Sequence, residues 1–478
     1  MRRPADPTYA LVDDLIETEP LVLGAHLDVS QAAAAMTAAG AGRAAVVDGP
    51  RIAVLTDAHI RGWVATGQPP VSAVSLADHH QPTVPVGTSS AEAIIAMLDR
   101  DASCVVVVEP GGELRGIVTD RDFLVSPTTA GVTLHQQLRR ATSLDELSRR
   151  AVRLPVALRD VTRRGLATSR VIAVHSALVD TVVRRTIELV LARHAGLDAA
   201  DFTWLALGSN GRREAVLSSD VDAAVAFGDH VAAEEVDDYR AVMGEIVAEL
   251  ARSGLTSDRH GATPAHRLFA RTHQEWRAAA HRWLAEPTAN KGAVLISLLV
   301  DGRPVHGDPG PTILAEVITE LRRNPSTLRV LLDQALQSRA RLRTTRTLLT
   351  RRQEPFDIKE NALAPIANLA RWAALSSGSP ALSTVERLRS SAGSIMLPAE
   401  EATTLIEIFE VLQRLRLRHQ LAQLDAGEPA SDVVAVDRLS PIDRAVIGQA
   451  VREISAVQRR AANLSASAPA GAWLEAGR

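Results

Sequence analysis

A ten-residue pattern occurs twice in the first quarter of the chain. Residues 51–60 read RIAVLTDAHI and residues 114–123 read LRGIVTDRDF, with Thr56 and Thr119 separated by 63 positions. Ahead of each copy lies an alanine-rich or apolar run at helical spacing (30–39 and 90–99), then a run of strand composition (44–47 and 104–108). A glycine-containing turn and a second strand follow, ending in Thr-Asp. Self-similarity at this period describes two copies of one small α/β unit, each leaning on the other for burial.

The repeat fills only part of a 478-residue chain, which at about 150 residues per domain holds about three domains. With 46% hydrophobic and 23% charged residues, the composition is globular and excludes a disordered or fibrous protein. A formal net charge of −3 argues against a wholesale basic coat for nucleic acid. That near-neutrality hides segregation. Residues 1–130 hold eight arginines and sixteen acids, whereas 321–352 hold nine arginines and the single acid Asp333. Such asymmetry marks a modular chain. Cys104 is the single cysteine, which excludes an intramolecular disulfide framework and a cysteine-ligated zinc cluster. Of the 53 basic residues only Lys291 and Lys359 are lysines. GC-rich coding bias explains the arginine excess, and bidentate anion binding is the sharper alternative.

The first twenty residues have no apolar stretch before Asp13 and Asp14, so they do not read as a secretory signal. The longest apolar stretches, such as 105–108 and 293–300, fall short of the roughly 20 residues a membrane helix needs. A cytoplasmic protein without a membrane partner is expected.

Residues 134–195 lack strand signals and read as helices. Ser143-Leu-Asp-Glu146 has the capping-box pattern of a helix start. Val171, Val174, Leu178, Val182 and Leu189 then recur at helical spacing. Strand-like TWLAL (203–207) and AAVAF (223–227) follow, and 237–255 reads as helix. From 312 to 463 the pattern is helical, broken at Pro355, 376–380, Pro398 and 427–429.

The stretch most telling of chemistry is 208–222, GSNGRREAVLSSDVD. Its glycines fall in a turn after a strand, where backbone amides and a helix N-terminus can cradle phosphate. Ser209 adds a hydroxyl, and Arg212 and Arg213 can neutralise phosphate charge. Asp220 and Asp222 are spaced by two at the start of the next strand, which sets both carboxylates on one face. Two hard oxygen ligands opposite a phosphate cradle suit magnesium bridging to a nucleoside triphosphate.

This pattern resembles the G-S-x-G-R-x-E…[ST]-D-x-D signature of nucleotidyltransferases with the DNA polymerase beta-like fold. The closer resemblance is to the branch typified by the PII protein uridylyltransferase. The chain is similar in particular to bacterial signal-transduction proteins that join a CBS pair, a uridylyltransferase-like domain and a helical substrate-binding domain. The likeness runs through TSLDELSRRAVRLPVAL, WRAAAHRWL at 276–284, LLVDGRPVHG at 298–307, FDIKENALAPIANLARWAAL, STVERL and LRLRHQLAQL.

The resemblance implies α/β modules followed by an all-α bundle. These are a regulatory tandem CBS domain over 1–130, a helical linker plus transferase domain over 134–310 (core 200–310), and a helical substrate-binding domain over 312–466. It implies transfer of a nucleoside monophosphate from UTP or ATP to a hydroxyl of a protein or small-molecule acceptor, releasing pyrophosphate. Gly208 and Ser209 would hold the triphosphate, and Asp220 and Asp222 the Mg2+. Such enzymes commonly carry a third carboxylate on a later strand. Asp258 and Asp301 both qualify, and the sequence does not choose; Asp301-Gly302 also reads as an ordinary turn pair. Arg303 and Gly307 match an R-x-x-x-G pattern of the family. The metal-dependent phosphohydrolase motif of full PII uridylyltransferases is not evident, so reversal by this chain is not expected.

The 63-residue repeat resembles a tandem CBS pair. In such modules the threonine and final aspartate of GIVTDRD contact phosphate and ribose, which makes Thr119 and Asp122 the candidates for an adenine nucleotide. The first copy keeps Thr56 but carries His59 where the aspartate would stand. A purely structural or dimerising pair is the alternative, and a homodimer is the expected assembly. In the C-terminal part, Arg371, Arg387, Arg416, Arg418 and His419 add to the arginine strip. A solvated helix face is the usual reason for such a run, and lining of the nucleotide or acceptor cleft is the other. Lys359, in FDIKENAL, is the preferred substrate-binding candidate there. The competing functional reading is a non-catalytic, adenine-nucleotide-sensing scaffold.

Overall fold

The structure is a computed structural model that describes residues 11–16, 19–66, 69, 71–120, 122–125, 129–256, 261–307, 317–321, 324–342, 355–436 and 439–467. By compactness the chain divides into two units: Met1–Arg140 with Val156–Thr181, and Ala141–Pro155 with Val182–Arg478. This differs from the division expected from sequence in two ways. Part of the helical linker packs with the repeats, and the transferase core and C-terminal helices form one body.

In the first unit the two repeats fold alike. The first gives β1 (Val22–Gly24), α1 (Val29–Ala38), β2 (Arg43–Asp48), β3 (Arg51–Thr56) and α2 (Asp57–Thr66). The second gives β4 (Thr83–Pro85), α3 (Ser90–Asp99), β5 (Cys104–Val108) and β6 (Leu114–Thr119), and α4 (Thr129–Arg139) follows. Each repeat makes a three-stranded sheet whose first pair is parallel and second antiparallel. Both leading helices start with a reciprocal capping box, Asp28 with Gln31 and Ser89 with Glu92, each cap worth about 1 kcal/mol. The repeats meet through Val54, Cys104 and Val106, which are buried in one shared cluster. Burial pushes the Cys104 thiol up to about 11, so it stays protonated and inert.

The second unit begins with α5 (Leu144–Ala151), capped as expected by Ser143, whose hydroxyl accepts from the Glu146 amide. The reciprocal bond shifts by one residue: Glu146 accepts from the Thr142 amide instead. Helices α6 (Leu154–Arg163) and α7 (Thr168–Leu191) follow in the chain, but residues 156–181 of this stretch belong to the first unit, and α7 enters the second at Val182. A mixed sheet comes next, in the order β10-β7-β8-β9, with β7 (Phe202–Ala206), β8 (Ala223–Phe227), β9 (Ala270–Thr272) and β10 (Arg303–His306). Strand β8 pairs antiparallel with β7 and parallel with β9. Its AAVAF sequence is buried throughout; such small side chains suit a central strand covered on both faces. Helices α8 (Ala233–Arg252), α9 (His273–Ala285) and α10 (Gly292–Leu299) pack around it. The Trp276 indole on α9 donates to the Val225 carbonyl of β8 at 2.9 Å.

The C-terminal part is helical, as the pattern and its breaks indicate. It comprises α11 (Pro325–Gln337), α12 (Ala364–Ser377), α13 (Thr384–Ser391), α14 (Ala399–Asp425) and α15 (Pro441–Ser467). Gly378 ends α12 in the left-handed region, and Pro398 caps α14. Two features are new: a two-stranded ladder of β11 (Phe356–Asp357) with β12 (Val433–Val434), and a π-helical turn, Lys359–Leu363, leading into α12. One hydrophobic core runs without a break from Leu207 and Ala224 of the sheet region through Trp372, Leu405 and Ile454 of the helices. That continuity is why sheet and helices make one unit. Among the described residues, no helix is long and apolar enough to cross a membrane.

Candidate active site

The stretch 208–222 lies between the two central strands, as its composition predicts. Gly208–Gly211 forms a single helical turn directly after β7. The amides of its first turn have no intrahelical acceptor and are available to a ligand. Gly208 has φ +54°, and a Cβ there would stand 2.8 Å from Asp222 Oδ2. Only glycine combines that backbone with that close approach. The Leu207 amide donates to the Asp222 carbonyl at 2.9 Å, and the Asn210 side chain donates to the Asp220 carbonyl at 2.6 Å. The turn and the aspartate pair are thus stitched together through the backbone.

Asp220 and Asp222 are partly exposed and flank buried Val221, the alternation expected for carboxylates sharing one side of an extended segment. Ser209 is also partly exposed. Arg213 has φ +59°, uncommon outside glycine; its amide donates to the Asn210 carbonyl at 3.2 Å, closing the turn.

Asp301 and Arg212 have a different task from the one expected of them. The Asp301 carboxylate is fully buried. Its Oδ1 accepts from Arg371 Nε (3.1 Å) and Arg387 Nη1 (2.5 Å), and its Oδ2 from Arg371 Nη2 (2.6 Å) and Arg212 Nη1 (2.5 Å). Burial works to raise its pKa, but the charges of Arg371, Arg212 and Arg387 outweigh burial and hold the carboxyl well below the usual range. So held, Asp301 is unsuited to take a proton from an acceptor hydroxyl. Arg212 completes the knot by donating from Nε to Glu214 at 2.8 Å, which occupies its guanidinium inside the protein. Asp258, the other candidate, lies outside the described residues. Its chain neighbours Thr256 and Ala262 accept from the Val221 and Ala223 amides. Among the described residues no group of three or more His, Cys, Asp or Glu could hold a metal ion.

Several residues that the sequence left without a task now have one. Arg303 donates to the Asn210 and Gly211 carbonyls at 3.2 and 3.3 Å, holding the end of the glycine turn. Gly307 has φ +80°, and a Cβ there would stand 2.1 Å from the Phe202 carbonyl. Arg371, Arg387 and Arg416, grouped with a solvated face or cleft by sequence, are buried and ion-paired. Arg418 is largely exposed and pairs with Asp443 at 2.7 Å. Lys359 is partly exposed in the π-helical turn, and its charge reaches Asp432.

In the repeat unit, Asp122 Oδ2 accepts from the Thr119 amide at 2.7 Å. In the first copy the roles differ: Thr56 Oγ1 accepts from the His59 amide at 3.3 Å. The repeats therefore share a backbone but present different side chains at this turn.

The site is thus a glycine turn after one strand, packed against an aspartate that opens the next. The match to known families is direct. The family described as "Putative nucleotidyltransferase DUF294" matches residues 152–290, "Putative nucleotidyltransferase substrate binding domain" matches 325–464, and "CBS domain" matches 72–126. The chain belongs to this family of CBS-containing DUF294 nucleotidyltransferases with a C-terminal substrate-binding domain. No curated protein matches it. Solved structures match over about a quarter of the chain. One is a CBS domain protein from Pyrobaculum aerophilum complexed with AMP (24% identity, 24% of this chain and 89% of that one, TM-score 0.22). Another is Hypoxic Response Protein I with two coordinated zinc ions (25% identity, 24% and 98%, TM-score 0.22). A third is Staphylococcus aureus OpuCA (18% identity, 23% and 93%, TM-score 0.20).

Proposed function

We propose that the chain transfers a nucleoside monophosphate from UTP or ATP to a hydroxyl of a protein or small-molecule acceptor, in the manner of PII uridylyltransferase. The observation that carries this reading is Asp222 seated against Gly208, with Asp220 two residues away and partly exposed. Gly208 and Ser209 bind the triphosphate through first-turn amides and a hydroxyl, and Arg213 and Lys359 supply positive charge. Asp220 and Asp222 would hold a divalent cation, Mg2+, which neutralises the phosphate charge when bound. The acceptor oxygen forms a bond to the α-phosphorus while the α–β phosphoanhydride bond breaks. Pyrophosphate leaves, and the hydroxyl proton passes to a carboxylate or to water. With Asp301 committed to its arginines, Asp258 is the remaining candidate for that carboxylate.

The repeat unit supplies control. Thr119 and Asp122 are the residues we assign to an adenine nucleotide, and His59 sets the first copy apart. A homodimer in the cytoplasm completes this reading.

The test is incubation of the full chain with each α-labelled NTP, Mg2+ and cell lysate, followed by identification of the labelled species. Labelled acceptor is expected with parent protein and a loss of about a thousandfold with Asp220→Asn/Asp222→Asn, about 4 kcal/mol of transition-state stabilisation. Full transfer by the double variant overturns the reading.

A further inference from the structure

The signature stretch is gripped from its far side by the C-terminal helices. Val216–Ser219 closes a tight turn immediately before Asp220, with the Ser219 amide donating to the Val216 carbonyl at 2.9 Å. Ser218 Oγ donates to Asp432 Oδ1 at 2.7 Å and accepts from Gln420 Nε2, also at 2.7 Å. Arg416 joins both sides: Nε and Nη2 bind the Asp432 carboxylate at 2.6 and 2.8 Å, and Nη2 reaches Ser218 Oγ at 3.3 Å. Arg416 and Gln420 sit one turn apart on α14 and are buried. Asp432 immediately precedes β12, and its carbonyl accepts from the Ile358 amide at 3.0 Å. The knot therefore ties three elements of the helical part to one loop of the sheet domain.

Its location matters more than its strength. Asp220 is held on one side by Asn210, from the glycine turn, and on the other by a loop that Ser218 anchors. A carboxylate presented to a metal must be fixed closely in position, and its supporting hydrogen bonds set that position. The separation of Ser218 from Asp432, 214 residues, means this support comes from the other half of the unit.

We propose that Ser218, Arg416, Gln420 and Asp432 form a latch by which the helical part positions Asp220 and Asp222 for the cation and nucleotide. The four are positioning residues, acting through the loop and not on substrate. The helical part is then a structural half of the nucleotide site and not only a platform for the acceptor. This inference rests on the transferase reading above.

The experiment uses the full chain with Mn2+ as probe ion, read by paramagnetic resonance without turnover and then by steady-state transfer. Ser218→Ala and Asp432→Asn are expected to weaken Mn2+ binding and lower kcat by about 10- to 100-fold each, with KM for the NTP unchanged. Ser218→Thr, which keeps the hydroxyl, restores both. Ser218→Ala removes one oxygen from a partly exposed loop, so it carries the test even where Asp432→Asn fails to fold. Parental Mn2+ affinity and kcat in Ser218→Ala, with Asp220→Asn inactive, overturns the latch and leaves the transferase reading standing. Parental behaviour of Asp220→Asn as well removes that reading, and the latch with it.

Discussion

Asp220 and Asp222 are partly exposed beside the glycine turn, whereas Asp301 and Glu214, reached from the same turn through Arg212, are buried. Besides Arg212, which bonds both, the buried pair is met from the helical part. Arg371 and Arg387 take Asp301, and the Thr384 amide and the Gln413 side chain donate to the Glu214 carboxylate and carbonyl at 2.5 and 3.4 Å. Carboxylates of one small domain thus divide between a partly exposed face, to which we assign the chemistry, and a buried face that holds sheet and helices together. Burying a charge costs several kcal/mol, which excellent geometry only about repays. The buried set is better understood as fixing one arrangement of sheet and helices than as added stability.

That contrast is broken most directly by substituting one member of each set. Asp301→Ala leaves three arginines around an empty site and is expected to cost about 3–5 kcal/mol, enough to prevent folding of a marginal chain. Asp220→Asn, at a partly exposed position, is expected to change stability by less than about 0.5 kcal/mol while abolishing transfer. Urea denaturation of both variants checks the pair. Equal losses of stability would erase the division into two faces.

A smaller effect is expected at the join between the faces. Gly208→Ala meets both a left-handed backbone and Asp222 Oδ2 at 2.8 Å. The conformational cost alone is about 1–2 kcal/mol, and Asp222 must shift to admit the methyl group. Thermal unfolding and the Mg2+ dependence of transfer measure the two consequences separately. An alanine variant with parental Mg2+ dependence would show that Asp222 does not need its seat on the glycine.

How far the sequence leads follows the same line. The repeats, the strand–turn–strand around 208–222 and the breaks at Pro398 and Gly378 are local, and local pattern carries them. Asp301 is different. Its partners stand 70, 86 and 89 residues away, and all three are arginines in a chain where nearly every cation is arginine. No periodicity marks an arginine as buried, so Arg371 and Arg387 read like any solvated helix face. An Asp-Gly pair at 301–302 likewise reads as a turn, whichever way its carboxylate goes. Arg303 and Gly307 are visible only as spaced letters, because their task is to meet the Gly211 and Phe202 carbonyls across the sheet.

The finest test concerns Asp432, which belongs to neither face fully. It is held by the helical part yet touches the loop that leads to Asp220. Burial works to raise its pKa, but the hydrogen bonds and charge of Arg416, with Ser218 and Lys359, outweigh burial and lower it. A carboxyl lowered in the folded state contributes stability that is present above its unfolded value, about 3.9 for aspartate, and is lost as pH falls through the folded value. Asp301 acts with the same sign. The thermal midpoint of the parent is therefore expected to hold steady between about pH 7 and 5 and to fall below about pH 4. Asp432→Asn cannot titrate, so its midpoint is lower at neutral pH but falls less steeply on acidification. The remaining slope then belongs to Asp301 and the other lowered carboxylates. Parallel curves for parent and variant would mean that Arg416 does not hold Asp432 ionised, and that the latch, if it acts, does so through shape and not charge.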